Sequence, residues 1–221
     1  MRAPLARRYA FAASIRAAPW GKDVLSEIEN DALTELVNIA VSGAAVRLRA
    51  MVGAEVKLTV PAVSVVDGAN AAKAMEALGL SSIMAVRQSF SGLLHGETLL
   101  VFPEGSYKDL VHAVLGADMT ESEIDALTDD ALGEIGNVLL LGFLSTVGKL
   151  LEVQFQVTIP TIALSKPEDI FTGDKDQVAL FIYVNFMISG REVRGYFGLV
   201  LGVETFAVLK QVLTAFLQKM L

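Results

Sequence analysis

One pattern of residues that can do chemistry occurs twice in this chain. The pattern is D-x3-E-x2-N-x22-P, found first at Asp31, Glu35, Asn38 and Pro61 and again, 99 residues later, at Asp130, Glu134, Asn137 and Pro160. A carboxylate accepts hydrogen bonds and pairs with cationic groups, whereas a carboxamide both donates and accepts. Each copy can therefore contact a basic group through its acids and align a polar group through its amide.

The spacing places the three polar residues of each copy on one face of a helix. At 100° per residue, Asp31, Glu35 and Asn38 fall within about 60° of one another, and apolar residues occupy the opposite face. We predict long helices over about 26–52 and 122–151. Two interpretations stay open, a functional surface or the solvated stripe of an amphipathic helix, because a duplication copies structural features as well as functional ones.

The segments around the two prolines also match at the same offset. EVKLTVPAVSVV (55–66) lies over QFQVTIPTIAL (154–164), and apolar residues alternate with period two before each proline. This period predicts half-buried strands. After both prolines the alternation changes phase, which predicts a β-bulge or an edge position where the missing N–H is tolerated.

The remaining elements follow the same order in each half. We predict hairpins over 82–102 and 178–202, each followed by a helix, at 106–116 and 203–221. Each half is then a long helix, three strands and a helix. Strands joined by tight turns favour antiparallel pairing, so we predict an α+β fold, with a pseudo-twofold repeat around a six-stranded, mainly antiparallel sheet. The single domain, 23–221, would consist of half-repeats at about 23–117 and 118–221.

Composition limits the possible functions. The chain is 53% hydrophobic and 19% charged, with a net charge of −7, no cysteine and two histidines. An acidic protein repels phosphate backbones, which disfavours nucleic-acid binding, and the residue counts disfavour a metal or cofactor of its own. All charges in residues 1–22 are basic, which we interpret as an N-terminal extension. No apolar run reaches the ~20 residues that span a bilayer, so no membrane span is expected.

The doubled motif resembles the active-site signature of the CheC/CheX/FliY chemotaxis phosphatases. The resemblance covers about residues 24–221, and two intact copies in one chain are most similar to the CheC branch. It implies a hydrolase that removes the phosphoryl group from the aspartate of a CheY-type response regulator in bacterial chemotaxis. It also implies a cytoplasmic location and the receptor deamidase CheD as a possible partner.

By motif match, the resemblance makes Glu35 with Asn38 one site, and Glu134 with Asn137 the other. The asparagines would orient a water in line with the P–O bond, since a neutral amide does not repel phosphoryl oxygens. The glutamates would accept from a lysine of the regulator. Asp31 and Asp130 would orient the helix or contact the partner, and Pro61 and Pro160 would shape the strand behind each site. The magnesium ion of the reaction is expected in the regulator.

A second function class remains open. The chain could be a non-catalytic module that sequesters a phosphorylated regulator or acts as a scaffold for a signalling complex. Intact asparagines in both copies favour the enzyme, because loss of Asn with retention of Glu would be typical of a binder.

Overall fold

The computed structural model describes residues 25–53, 55–77, 79–116, 119–171, 176–188 and 191–220, so the predicted extension over 1–22 lies outside the described residues. Within these ranges the chain forms six helices: α1 (Glu27–Val52), α2 (Gly68–Ala77), α3 (Ser106–Leu115), α4 (Glu121–Leu151), α5 (Pro167–Ile170) and α6 (Val203–Met220). Seven strands complete it: β1 (Val56–Asp67), β2 (Ile83–Gly92), β3 (Gly96–Pro103), β4 (Phe155–Val157), β5 (Thr161–Ser165), β6 (Gln177–Ile188) and β7 (Arg191–Gly202).

The strands form one antiparallel sheet in the order β1-β6-β7-β3-β2-β4, with β5 also paired to β2. The predicted α+β fold is confirmed. The sheet has seven described strands rather than six, because the segment predicted as one strand over 154–164 divides into β4 and β5 on either side of Pro160. The short helices α2 and α5, which follow the first strand of each half, were not predicted.

Pro61 lies in β1 where the register shifts. Thr59 pairs with Asn185 and Ala62 with Tyr183, so β1 advances three residues while β6 advances two. The additional residue is a bulge, as the phase change predicts. Its effect is to keep apolar residues on both sides of the proline, Val60 before it and Val63 after it, packed against the same core.

The second copy departs from the prediction of a half-buried strand. Phe155 and Ile162 are partly buried, but Val157 is 37% exposed, Ile159 87% and Leu164 57%. The reason is that β4 and β5 are short strands at the edge of the sheet, with few elements packed over them.

Two apolar cores lie on opposite faces of the sheet. The larger core is formed by α1, α3, α4 and α6 with alternate residues of the strands. The smaller core is formed by α2, α5 and the strand residues that point to the other face of the sheet, such as Phe181 and Tyr183 of β6. The motif helices therefore rest on a rigid, well-packed base, since close-packed cores resist deformation.

Hydrogen-bonded caps start both motif helices. Ser26 caps α1 in a capping box with Glu29, and Thr120 caps α4 in the same way with Glu123. The backbone N–H and then the hydroxyl of Thr120 bond the Glu123 carboxylate and lower its pKa from the ordinary value. These boxes satisfy N–H groups that the first turn of a helix leaves unpaired.

The two motif helices cross each other closely. A Cβ on Gly43 of α1 would lie 2.5 Å from Thr146 Oγ1, and a Cβ on Gly142 of α4 would lie 3.1 Å from Ala44 Cα. The two glycines are 99 residues apart, as are the motif copies. The division of the domain into two half-repeats stays a prediction, but the helix crossing is consistent with it.

Helix α4 is long and apolar enough to span a membrane. It is the one helix of this kind in the part of the chain that the structure describes. Its apolar window is 61% buried inside the protein. Residues such as Leu139, Leu140 and Phe143 pack in the larger core, which is the environment of a core helix.

Candidate functional site

The first motif presents its acids to solvent and its amide at the boundary of the core. On α1, Asp31 and Glu35 are exposed and Asn38 is half-buried. Leu36 and Val37, between the acid and the amide, are each 2% exposed and pack in the larger core. The helix face is therefore open to a partner, while its opposite face fixes the orientation of the polar side chains.

The second motif has the same burial pattern. On α4, Asp130 and Glu134 are exposed and Asn137 is half-buried, while Ile135 and Gly136 between them are buried. The structure thus brings Asp, Glu and Asn together on one accessible helix face in each copy. Neither asparagine lies in the core, so both could reach a group on a docked protein.

The two asparagines differ in their hydrogen bonds. Gln88 of β2 donates from Nε2 to Asn137 Oδ1 at 3.4 Å and to the backbone oxygen of Thr158 at 2.9 Å. Within the described ranges, no side-chain hydrogen bond reaches Asn38, whose backbone oxygen accepts from Ser42 Oγ at 2.7 Å. The amide of Asn137 is therefore held from the sheet side and that of Asn38 is not.

Pro61 lies in a strand and Pro160 lies between two strands, and in each case the strand packs against a motif helix. Pro61 is at the β1 bulge, and α1 packs on β1. Pro160 is half-buried between β4 and β5, and α4 packs on both. Thr158, two residues before Pro160, bonds Ser89 of β2 and contacts Gln88 through its carbonyl. The bonds with Ser89 therefore hold Thr158 in place beside Gln88, just before the strand break at Pro160.

Two apolar residues that the motif does not include share its surface. Ile28 on α1 is 69% exposed and Leu127 on α4 is 38% exposed. Each lies seven residues, or two helical turns, before the motif glutamate and so on the same face. The two positions are 99 residues apart, the same offset as the two motif copies, so the sequence alone could have indicated this pair. Exposed apolar groups beside polar ones are typical of protein-docking surfaces.

The electrostatics of both faces are acidic. Asp31 and Glu35 in one copy, and Asp129, Asp130 and Glu134 in the other, are exposed carboxylates. Within the part of the chain that the structure describes, no group of three acidic or histidine side chains converges to hold a metal ion. Separate carboxylates of this kind are suited to basic groups of a partner.

Comparison with known proteins supports this description. The family model described as chemotaxis phosphatase CheX matches residues 84–185, a segment that contains Glu134, Asn137 and Pro160 but not the first Glu–Asn pair. Among solved structures, FliY of Thermotoga maritima is 20% identical with a TM-score of 0.69, covering 87% of this chain and 98% of that chain.

Two further structures share the fold. CheX of Desulfovibrio desulfuricans is 17% identical with a TM-score of 0.50, covering 75% of this chain and 99% of that one. The FliM middle domain from H. pylori is 9% identical with a TM-score of 0.55, covering 85% of this chain and 99% of that one. At these identities the structural likeness establishes the fold alone.

Proposed function

From the match of residues 84–185 to the chemotaxis phosphatase CheX model and from the doubled motif, we propose that this chain belongs to the CheC/CheX/FliY family and hydrolyses the aspartyl phosphate of a CheY-type response regulator. One observation carries the proposal. A Glu–Asn pair is presented twice, on equivalent faces of two long helices, with the glutamate exposed and the asparagine half-buried at the edge of the core.

The reaction needs little from this protein beyond alignment. An acyl phosphate is already reactive, and the regulator's acidic pocket would hold the magnesium ion that neutralises phosphoryl charge. A water oxygen attacks phosphorus, the acyl P–O bond breaks, the aspartate leaves as a carboxylate, and the proton of the water departs with inorganic phosphate. Holding that water in line converts an encounter into a unimolecular step.

Asn38 and Asn137 would align the water. A carboxamide offers a donor and an acceptor about 2 Å apart without net charge, so it can bond the water and a phosphoryl oxygen together without repelling the phosphate. A carboxylate at the same place would repel the phosphoryl oxygens. The half-buried position restricts the amide to few rotamers, which is the preorganisation that such a role requires.

Glu35 and Glu134 would dock the regulator. Each lies nearly one turn before its asparagine on the same helix face, and exposure leaves the carboxylate able to accept from a lysine of the regulator. Asp31 and Asp130, one turn further back, would extend the contact with basic groups. Pro61 and Pro160 would act indirectly, by shaping the strand next to each motif helix.

The direct test is the decay of a phosphorylated regulator. CheY-type regulators labelled with acetyl phosphate would be incubated with and without the full chain in magnesium buffer, and phosphate release would be followed. Faster release than the intrinsic rate supports the proposal. A regulator that binds but keeps its phosphate longer would instead support a sequestering or scaffold module. This second function class stays open, because the FliM middle domain has the same fold.

Two further parts of the proposal concern the cell rather than the site. The protein would act in the cytoplasm, where response regulators are phosphorylated. CheD would be a second partner, and binding of purified CheD to the full chain, measured by calorimetry, would test this separately from the phosphatase assay.

A further inference from the structure

We infer that Gln88 is a positioning residue of the second site, which holds the carboxamide of Asn137 in one of its two orientations. The inference rests on the proposed function, because that function gives Asn137 its role in aligning water. Gln88 lies on β2, is 1% exposed and is 49 residues from Asn137 along the chain.

The hydrogen-bond partners determine the orientation of both amides. A backbone carbonyl oxygen only accepts, so the group of Gln88 that lies 2.9 Å from Thr158 O must be the nitrogen. The same nitrogen lies 3.4 Å from the side chain of Asn137. A donor at that place requires an acceptor, so Asn137 accepts from Gln88 with one lone pair of Oδ1, and the second lone pair and both Nδ2 hydrogens stay available for the water and a phosphoryl oxygen. The contact is long, and such contacts commonly shorten when the reacting complex forms.

A purely structural role does not explain a glutamine at this position. Its Oε1 atom is buried without a hydrogen-bond partner among the residues that the structure describes. A buried acceptor left unpaired costs free energy, and an apolar side chain of similar volume would avoid that cost. The amide is therefore useful for what its nitrogen does, which is to bond Thr158 and Asn137 together.

Among the residues that the structure describes, the first site has no counterpart of Gln88. Val157 of β4 pairs with Phe90, and Leu58 of β1, 99 residues earlier, pairs with Phe186. Two residues before Phe90 is Gln88, and two residues before Phe186 is Val184. Valine cannot donate to an amide, so Asn38 has no counterpart of this contact.

The close approach of α4 to β2 depends on a second difference. Gly136 precedes Asn137, and a Cβ there would lie 2.5 Å from Val86 Cγ1 on β2. The first copy has Val37 at the matching position. The absence of a side chain at 136 lets the helix lie near enough to β2 for Gln88 to contact Asn137. An amide held in one orientation aligns water more often than one that can flip, so the second site should turn over faster.

The kinetic test isolates the second site in an Asn38→Ala background. Gln88→Met removes both amide atoms while nearly conserving side-chain volume. It should lower kcat roughly two- to tenfold, the range expected for one net hydrogen bond, with KM for the phosphorylated regulator changed less than about twofold. Thr98→Val is the matched control, because it removes a buried hydrogen bond to the backbone carbonyl of Gln88 and leaves the side-chain amide of Gln88 in place.

A general loss of structure would give a different result. In an Asn137→Ala background only the first site acts, and Gln88→Met should change its rate by less than about twofold because the partner amide is gone. Equal losses in both backgrounds, or an unchanged kcat in the Asn38→Ala background, would overturn the positioning role while leaving the phosphatase proposal intact.

A second measurement does not depend on activity. In the wild-type chain, the Nε2 hydrogens of Gln88 should exchange slowly with solvent, and their NMR resonances should move on Asn137→Ala but not on Asn38→Ala. Resonances that respond to neither substitution would refute the contact even in an active protein. Absence of phosphatase activity in the wild type would instead refute the proposed function, and the NMR result would still decide whether Gln88 holds Asn137.

Discussion

Gly136 of α4 and Val86 of β2 lie so close together that a Cβ on Gly136 would come within 2.5 Å of Val86 Cγ1. Gly133, one turn earlier on the same helix, has a looser environment, where a Cβ would lie 3.2 Å from Ile162 Cδ1, the end of a flexible side chain. The two glycines therefore form a natural pair for testing what close packing contributes to the second site.

Gly136→Ala should separate α4 from β2. The added methyl group must displace Val86 or the helix, which costs about 1–3 kcal/mol of stability, partly offset by the helix propensity of alanine. Activity of the second site, measured in an Asn38→Ala background, should fall with it. Gly133→Ala has the same gain in helix propensity without a contact as short as that with Val86, and we expect unchanged or higher stability. Equal thermal unfolding temperatures for the two variants would contradict this account.

Part of this arrangement can be predicted from the sequence. Local patterns suffice for the long helices and for the bulge at Pro61, because apolar periodicity reports which side of an element is buried. They do not suffice for α2, whose sequence GANAAKAMEA consists largely of small residues and follows β1 directly, without a separate turn segment. The exposure of Ile159 depends on its place at the sheet edge, a tertiary property.

The candidate site divides in the same way. The accessible faces carrying Glu35 with Asn38 and Glu134 with Asn137 follow from residue spacing along one helix. The contact of Gln88 with Asn137 joins a strand and a helix that are distant in the chain, so no local pattern contains it. The pair Ile28 and Leu127 could have been found, since its 99-residue offset is that of the motif.

Replacing the asparagine and replacing the glutamate by alanine should have different effects on kcat and on the affinity for the regulator. Asn137→Ala removes water alignment and leaves docking intact, so kcat should fall with little change in the affinity for the phosphorylated regulator. Glu134→Ala removes an exposed contact with a basic group, so affinity should fall as well, and the difference from wild type should shrink at raised salt. Calorimetry with a non-hydrolysable phosphoryl analogue on the regulator measures the affinities. Identical effects on affinity would refute this division of roles.

The exposed apolar residues beside the motifs should contribute to docking. Ile28→Ser should weaken regulator binding by about 1 kcal/mol, or roughly fivefold in Kd, because the isoleucine loses its burial against the partner. Val46→Ser is a matched control for position along the helix, since Val46 is also 69% exposed and points in the same direction as Ile28 but lies about 27 Å further along α1, beyond Asn38. If Val46→Ser weakened binding as much as Ile28→Ser, the docking face would be wrongly placed.

The cap of α4 should make stability depend on pH. The bonds from Thr120 lower the pKa of Glu123 below its ordinary value of 4.5, so the charged form is favoured in the folded protein. That stabilisation is complete above pH 4.5 and is lost as the pH falls through the lowered pKa. Glu123→Gln, compared with Glu55→Gln for the same change of charge, should reduce the unfolding temperature at pH 7. The deficit should shrink in acid, and a deficit that grew as the pH fell would refute the cap's contribution.

The central claim, that each motif copy is a complete site for aspartyl-phosphate hydrolysis, is tested most directly by phosphate release from a phosphorylated CheY-type regulator. Wild type would be compared with Asn38→Ala, Asn137→Ala and the double variant. Sites on different helices with separate Glu–Asn pairs should contribute nearly additively. We expect both single variants to stay active, the Asn137→Ala variant to lose the larger share, and the double variant to approach the regulator's intrinsic decay. A single variant as inactive as the double variant, or a double variant as active as wild type, would contradict the two-site account.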